Sequence, residues 1–389
     1  MIFSWLARKC QESRVHQKSK GISVEEVPEV NSVEAKLYAL PAGQGDCLLF
    51  QFQDLDGKYH NILVDGGNRN RVEFNKQKKK ILEIIDDGKR GKLDLVVVTH
   101  SDDDHIKGIL NLLGDSELEP LVERVWFNSE RTISEYLGEQ CQSTQKYQIC
   151  KASKGTVKSS RAQDNNLYNL LESDPRWDKE IILSGKIEEI ENLKITVLSP
   201  TKENLEVLNK FWPTQKLGSV KSSAKKGFDY DTSLDEFINN LPTFKEDKRP
   251  VNGSSIALLL EWMDKKFMLL SDSYPSVITK SLSLLFDELP LKLDAMKVSH
   301  HGSKSNTSTE LIESVLCRDY IVSSNANKTH FHPDKETLCR IVAANGIENT
   351  FFHFTYENQQ LKRIFHSETE VNTLFPIDKE VGVCLSYEC

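Results

Sequence analysis

The sequence contains no CxxC pair, no zinc-finger spacing, no internal repeat, no heptad array and no apolar run long enough to cross a bilayer. Zinc-finger modules, solenoids, coiled coils and membrane spans are thereby set aside. The opening MIFSWLARKC is apolar only as far as Arg8 and Lys9, and no small-residue cleavage site follows it. Residues 1–33 are expected to form a polar lead, and the protein to be cytoplasmic and off the membrane. The eight cysteines, Cys10, Cys47, Cys141, Cys150, Cys317, Cys339, Cys384 and Cys389, are scattered, which predicts free thiols in a reducing compartment. Positive charge is in deficit too: a formal net charge of −8 argues against a protein that coats nucleic acid indiscriminately. It leaves room for an enzyme whose bound ions supply positive charge locally.

What is present is ordinary in bulk and specific in detail. A length of 389 residues, 38% hydrophobic and 28% charged, fits a soluble globular protein with one large core or two smaller ones. AKLYALPAGQGDCLLFQFQ and YHNILVDGG, separated by the turn signal DLDGK, predict an early hairpin. Phe74, Ile81, Ile84 and Ile85 lie near helical spacing and predict a helix that stops at Gly88. LDLVVVTH reads as a strand buried on both faces, and HIKGILNLLGD as the helix that follows it. VERVWFN, LKITVLSP, SSIALLLEW, KFMLLSDS, LDAMKVSHHGS and DYIVSSNA continue this rhythm of strand and polar loop, the third and fourth joined as a hairpin through MDKK. Helices are expected near 275–288, 307–316 and 333–345. The stretches at about 129–190 and 202–250, the second carrying KLGSVKSSAKKG, are polar and weakly periodic, and read as insertions on a single domain spanning 34–389. Hairpins in both halves favour an α/β (α+β) arrangement of two mixed β-layers flanked by helices over a doubly wound parallel sheet.

Chemistry collects at strand ends. Residues 96–109, VVVTHSDDDHIKGI, close an apolar run on three successive aspartates boxed between histidines, and such a charge cluster needs water or a cation among its members. Of the 10 histidines, six fall in three clusters: His100 with His105, His300 with His301, and His330 with His332. Each follows a strand end, where loops gather side chains around a common site. LLSDS adds Asp272, and LVDGG adds Asp65 before two glycines. An Asp-rich turn ahead of a helix is commonly a cap, and paired histidines are common on surfaces. Their joint occurrence at strand ends favours a divalent metal, which suits carboxylates mixed with imidazoles. His100 and Asp102, two apart, point the same way in an extended loop, while Asp104 and His105 begin the next turn and can face a second ion. Asp103 is expected to face away or to cap the helix.

His100-Ser-Asp102-Asp-Asp104-His105 resembles the H-x-H-x-D-H loop of the metallo-β-lactamase fold superfamily, with Asp in place of the second His. That replacement, with AGQGDCLLF, LVDGG, VLSP, NGSSIALLL, LLSDS, MKVSHHGS and HFHPD in the same order over about residues 36–345, is similar to the branch typified by the hydrolase domain of the DNA-uptake channel protein ComEC. The resemblance implies a four-layer αββα sandwich and two divalent metal ions, Zn²⁺ or Mn²⁺. It implies His100, Asp102, Asp104 and His105 as ligands, Asp272 as the bridge, and His300 rather than His301 as the residue completing the set. His332 matches the His of the family's Gly-His-Pro and would approach the metals or the substrate, although Phe331 stands where that Gly would be.

Two ions sharing a hydroxide suit attack on a phosphodiester, with Asp104 or Asp65 orienting the nucleophile and His332, His301 or Lys304 serving the leaving oxygen. Ser303, Lys304 and His330 are the expected substrate contacts, and a nucleic acid or nucleotide is the expected substrate, in a bacterial defence or DNA-processing setting with a protein partner encoded nearby. Asp102 adds negative charge relative to His and shifts metal preference towards harder ions such as Mn²⁺. Lys76, Lys78, Lys79 and Lys80 could contact phosphates, but a lysine run on a helix is by default a solvated face. The rival readings are a lactone, thioester or β-lactam hydrolase, and a metal-stabilised sensor or scaffold for which the insertions and the tail VGVCLSYEC would be the partner surface.

Overall fold

A computed structural model describes residues 32–67, 71–86, 91–139, 160–212 and 227–389. The helix stop at Gly88, the lysines of KSSAKK and almost all of the N-terminal lead lie outside these residues. Val33–Cys389 form one unit, divided from Met1–Ser32. Among the described residues no helix is long and apolar enough to cross a membrane, and Cys47, Cys317, Cys339, Cys384 and Cys389 are free thiols.

In chain order the strands are β1 (Glu34–Ala39), β2 (Leu48–Gln53), β3 (Tyr59–Val64), β4 (Leu95–Val98), β5 (Val125–Phe127), β6 (Ile187–Ile190), β7 (Leu193–Ser199) and β8 (Ala257–Trp262). They continue with β9 (Lys265–Leu269), β10 (Leu291–Lys292), β11 (Ala295–Lys297), β12 (Val315–Leu316), β13 (Asp319–Val322), β14 (Phe351–Phe354), β15 (Asn372–Leu374) and β16 (Val383–Glu388). One sheet has the order β16-β1-β2-β3-β4-β5 and the other β15-β14-β13-β11-β9-β8-β7-β6, while β10 and β12 pair separately. Both are mixed. The β1-β2-β3 and β6-β7-β8-β9 runs are antiparallel meanders, and β3-β4-β5 and β9-β11-β13-β14-β15 are parallel.

Alternation along the strands creates the layers, because successive side chains face opposite sides of a sheet. Leu37, Phe50, Ile62, Leu95 and Val97 of the first sheet meet Ile195, Leu258, Leu260, Phe267 and Leu269 of the second in one buried core. The opposite face of the first sheet, through Leu49, Leu63, Val96 and Val98, packs on Phe74, Ile81, Ile106, Ile109 and Leu167 of helices. The second sheet's outer face, through Leu259, Met268, Met296 and Tyr320, is covered by Ile278, Leu282, Leu311, Leu338 and Ile341. The result is helix, sheet, sheet, helix: the αββα sandwich. The tail VGVCLSYEC is part of it, since β16 pairs antiparallel with β1 (Leu37 opposite Leu385), turning Val383, Leu385 and Tyr387 onto the inter-sheet core.

Parallel strands deliver their C-terminal loops to the same end of a sheet. The loops after β3 and β4 in one sheet, and after β9, β11 and β13 in the other, carry Asp65, the His100–His105 segment, Asp272, His300 with His301, and His330 with His332. Residues from positions 65 to 332 meet for this reason.

Candidate metal centre

The helix Asp103–Leu112 carries the last two members of the motif, Asp104 and His105. Ile106, Ile109 and Leu112 bury its apolar face, each worth about 1.5–3 kcal/mol of transfer free energy. Its start is fixed by glycines. Gly66 N–H donates to the His105 carbonyl at 3.1 Å and Gly108 N–H to that of Gly67 at 3.0 Å. A Cβ on Gly108 would lie 1.7 Å from the Gly66 oxygen, so only glycine permits this approach. Asp102 is the N-cap residue but makes no capping bond with its side chain, and Asp103 pairs with Lys107.

Asp272 stands at the middle of the cluster, and its two oxygens face two sets of groups. Oδ2 lies 3.8 Å from His100 Nε2 and 3.5 Å from His300 Nε2, and Asp102 Oδ2 lies 3.9 Å from the same His100 nitrogen. Oδ1 lies 3.5 Å from His105 Nε2 and 3.6 Å from His301 Nε2, while Asp104 Oδ2 is 3.9 Å from His301 Nε2. These gaps are too long for hydrogen bonds. They approach the edge of a tetrahedron around an ion with bonds of about 2.1 Å, roughly 3.4 Å. Single ligand atoms of His100, His105 and Asp272, and likewise of Asp104, His105 and His301, lie within 4.8 Å of one another. The Nε2 atoms of His100, His105 and His301 and Oδ1 of Asp272 are buried with no hydrogen-bond partner among the described residues. Buried polar atoms are almost always partnered, so this converging set fits a divalent cation.

The far sides of the rings are held. His105 Nδ1 donates to Asp65 Oδ2 at 2.7 Å, and that carboxylate also accepts Thr99 N–H at 2.9 Å and Thr99 Oγ1 at 2.6 Å. His301 Nδ1 donates to the Ser323 carbonyl at 2.9 Å, with Asp46 Oδ1 at 3.5 Å. His300 Nδ1 donates to Asn306 Oδ1 at 2.8 Å, and His100 Nδ1 lies 3.1 Å from Thr99 Oγ1. With Nδ1 engaged on these partners, Nε2 of His105, His301 and His300 is the nitrogen turned to Asp272, the one that would ligate a cation on giving up its proton. Burial opposes charge on Asp272, but His300, His105 and His301 outweigh it and hold its carboxyl well below the usual range. Burial likewise opposes protonation of His105, yet Asp272 and Asp65 on its two sides raise its pKa well above the ordinary value.

The backbone is bent to make this possible. His300 and His301 have φ of 46° and 55°, and Ser271, just ahead of Asp272, has 47°. Each such residue costs about 1–3 kcal/mol, a strain tolerated where the surroundings fix it. Phe331 also adopts a left-handed φ, 57°, the conformation glycine would supply, and is steadied by an edge contact with Phe228 at 5.0 Å between centroids.

The other expected residues differ in how they stand to this cluster. Among the described residues the side chain of Asp65 bonds to Thr99 and to the back of His105, which orients that ring. His301, expected as the lesser ligand candidate or as an acid, has its Nε2 inside the cluster beside Asp104 and Asp272. Lys304 reaches away to Glu336 at 3.3 Å, and Ser303 shapes the turn through its N–H to the His300 carbonyl at 2.8 Å. His332 is at the margin, its ring centroid 5.2 Å from that of His300 and Nδ1 3.4 Å from Asp334. His330 is half-buried in the fields of Asp104, His300, His301 and Arg249, and burial lowers its pKa. The lysine run is committed to carboxylates: Lys76 to Glu73, Lys78 to Asp115 and Glu117, Lys79 to Glu83, and Lys80 to Glu83 and Asp378.

Other residues enter that the motifs did not single out. Asp46 and Lys297 form a fully buried ion pair behind His301, and Lys297 Nζ also donates to the Ser271 carbonyl at 3.2 Å. Both insertions reach Asp102. Ser160 from the first donates to Oδ1, and Arg249 from the second donates to Oδ2 at 2.9 Å. Lys297 in the apolar context of MKVSH is a legible sign of a buried charge; nothing in the sequence marks Ser160 or Arg249.

No family model matches the chain. One curated relative, ComE operon protein 3 of Bacillus subtilis (strain 168), is 28% identical over 92 residues, which is 24% of this chain and 12% of that protein. Among solved structures, the chain is similar to the metallo-beta-lactamase fold protein YhfI of Bacillus subtilis, with TM-score 0.41, 11% identity, and 91% of this chain and 100% of that one covered. It is similar to Zn(2+)-bound PqqB of Methylobacterium extorquens, with TM-score 0.38, 9% identity, and 90% and 99% covered. A diphosphatase from the PhnP family gives TM-score 0.37, 12% identity, and 91% and 98% covered. Two mixed sheets packed face to face between helices, with the His/Asp cluster on the loops at one end, form the αββα sandwich that the resemblance of the His100–His105 loop implied.

Proposed function

We propose that the centre holds two divalent metal ions, Zn²⁺ or Mn²⁺, and that the protein is a metal-dependent hydrolase acting on a phosphodiester in a nucleic acid or a nucleotide. The observation that carries this reading is Asp272, whose Oδ2 is turned to His100 and His300 and whose Oδ1 is turned to His105 and His301. His100, Asp102 and His300 would hold one ion; Asp104, His105 and His301 the other; Asp272 would serve both. A pair of such ions supplies a nucleophilic water at neutral pH and offsets negative charge in the transition state. The chain's own residues do the rest. Asp65, Asn306, Thr99 and Ser323 fix the four rings, so that little reorganisation accompanies reaction. His332, whose ring lies 5.2 Å from that of His300 at the margin of the cluster, would hold a proton near the leaving oxygen.

The test is hydrolysis of single-stranded and duplex DNA, RNA and cyclic dinucleotides with Mn²⁺, Mg²⁺ or Zn²⁺, beside a panel of thioesters and lactones. Asp104→Ala is the control. Phosphodiester cleavage lost in the variant supports the reading. Cleavage unaffected by it, turnover confined to thioesters or lactones, or protein purified without chelator that holds no divalent ion, overturns it.

A further inference from the structure

We propose that Arg249 is the residue that binds the anionic group of the substrate beside the metal centre. The proposal rests on the phosphodiesterase reading and adds to it a substrate contact supplied by the second insertion.

The centre is rich in carboxylates, and a phosphodiester approaching it meets repulsion wherever the ions do not offset that charge. Arg249 is the cation placed to help. Its Nη2 donates to Asp102 Oδ2 at 2.9 Å, and its side chain is 50% exposed, so one end of the guanidinium is at the site and the rest is open to arriving solute. Asp102 comes first among the charges that hold its pKa up, with Asp247, Asp104 and Asp272 behind it, which places the guanidinium in the field of both halves of the cluster. A guanidinium carries five N–H donors in a planar fork. Among the described residues only Nη2 makes a hydrogen bond, leaving donors suited to two oxygens of a phosphate.

The base of the side chain is fixed. Arg249 N–H donates to Asp247 Oδ1 at 2.9 Å, and its carbonyl accepts Tyr274 Oη at 2.6 Å and Gly253 N–H at 3.0 Å. Pro250 follows at the first helical position. Asp247, through Asn252 at 2.6 Å, belongs to the group packed around His300. The insertion is therefore tied to the ligand loops at its C-terminal end, which holds Arg249 beside them. The rival role is narrower: Arg249 would only offset the charge Asp102 adds, touching no substrate. That role predicts an effect on metal binding and none on phosphate once the metal is in place.

The experiment uses the full chain saturated with Zn²⁺ or Mn²⁺, metal content measured in parallel, with inorganic phosphate titrated calorimetrically into wild type, Arg249→Gln and Arg249→Lys. The expected result is unchanged metal content, a phosphate Kd weakened roughly ten- to a hundredfold in Arg249→Gln, a smaller loss in Arg249→Lys, and a matching rise in KM for any phosphodiester cleaved. Phosphate affinity within about twofold of wild type in fully loaded Arg249→Gln overturns the proposal and leaves the phosphodiesterase reading standing. A deficit that saturating metal abolishes also overturns it, in favour of the narrower role. Loaded wild type that binds no phosphate and cleaves no phosphodiester overturns the underlying reading and the proposal together.

Discussion

Asp65 and His105 are joined by a 2.7 Å hydrogen bond between two wholly buried side chains, and that bond fixes which nitrogen of His105 faces Asp272. Asp65→Asn preserves the shape but replaces one carboxylate oxygen with an amide NH₂. The orienting charge is lost, and with it part of the basicity of the ring. Divalent-cation affinity, read by competition with a chromophoric chelator, is expected to fall about ten- to a hundredfold. The thermal stability of the metal-free protein should change little by comparison. Unchanged metal affinity would show that Asp65 is only a turn residue.

Gly108 leaves no room for a side chain, since a Cβ there meets Gly66 O at 1.7 Å and backbone rather than a flexible tip must yield. Gly108→Ala is expected to destabilise the chain by about 3 kcal/mol, measured by urea denaturation, and to lower metal retention by moving the start of the helix that carries Asp104 and His105. Gly138→Ala is the contrast: its Cβ meets nothing within 4 Å among the described residues, although its φ of 70° adds some strain.

How much of this was legible in the chain depends on how local each feature is. The ligands cluster within a few residues of strand ends, and the strands read from apolar runs, so the layers, the His100–His105 loop, Asp272 and the His300–His301 pair are readable. Phe331 shows the limit of residue type: a φ of 57° suits Gly, and here an edge-on contact with the Phe228 ring steadies the same conformation in Phe. Arg249 and Asp102 are 147 positions apart, and Asp46 and Lys297 lie in different sheets' loops or strands, so their pairing depends on packing that no local pattern encodes. The place of Asp65 before two glycines says that the chain turns there, and not which way its oxygens point.

Asp164 ties the first insertion to the motif, accepting Ser101 Oγ at 2.9 Å and Glu130 N–H at 3.0 Å. Burial, with the nearby Glu130 charge, raises its pKa from 3.8 to about 7. A carboxyl whose folded pKa exceeds its unfolded value binds its proton more tightly in the folded state. It therefore costs nothing below pH 4, progressively destabilises the fold as pH rises from about 4 to 7, and exerts its full penalty above that. Asp164→Asn removes the charge and keeps an acceptor. It should match wild type near pH 4 and exceed it at pH 8 by up to about 4 kcal/mol, the difference growing between those limits in denaturant titrations of metal-free protein. A gap that does not vary with pH would refute the assignment.

The Asp46–Lys297 pair separates two roles that a single substitution would confuse. Both side chains are fully buried, and Lys297 and His301 together hold the Asp46 carboxyl far below its usual range despite its burial. Lys297→Met leaves an uncompensated carboxylate in the core and is expected to cost about 3–5 kcal/mol. Asp46→Asn alone strands the ammonium and should cost a similar amount. The double variant leaves neither charge behind, so most of the stability is expected to return in urea denaturation. Metal binding should not return with it, because His301 still lacks the carboxylate lying 3.5 Å from its Nδ1. Recovered stability with a persistent deficit in metal affinity would show that the pair acts on the centre through His301. Recovery of both would reduce the pair to an internal charge balance with no part in setting the ligand.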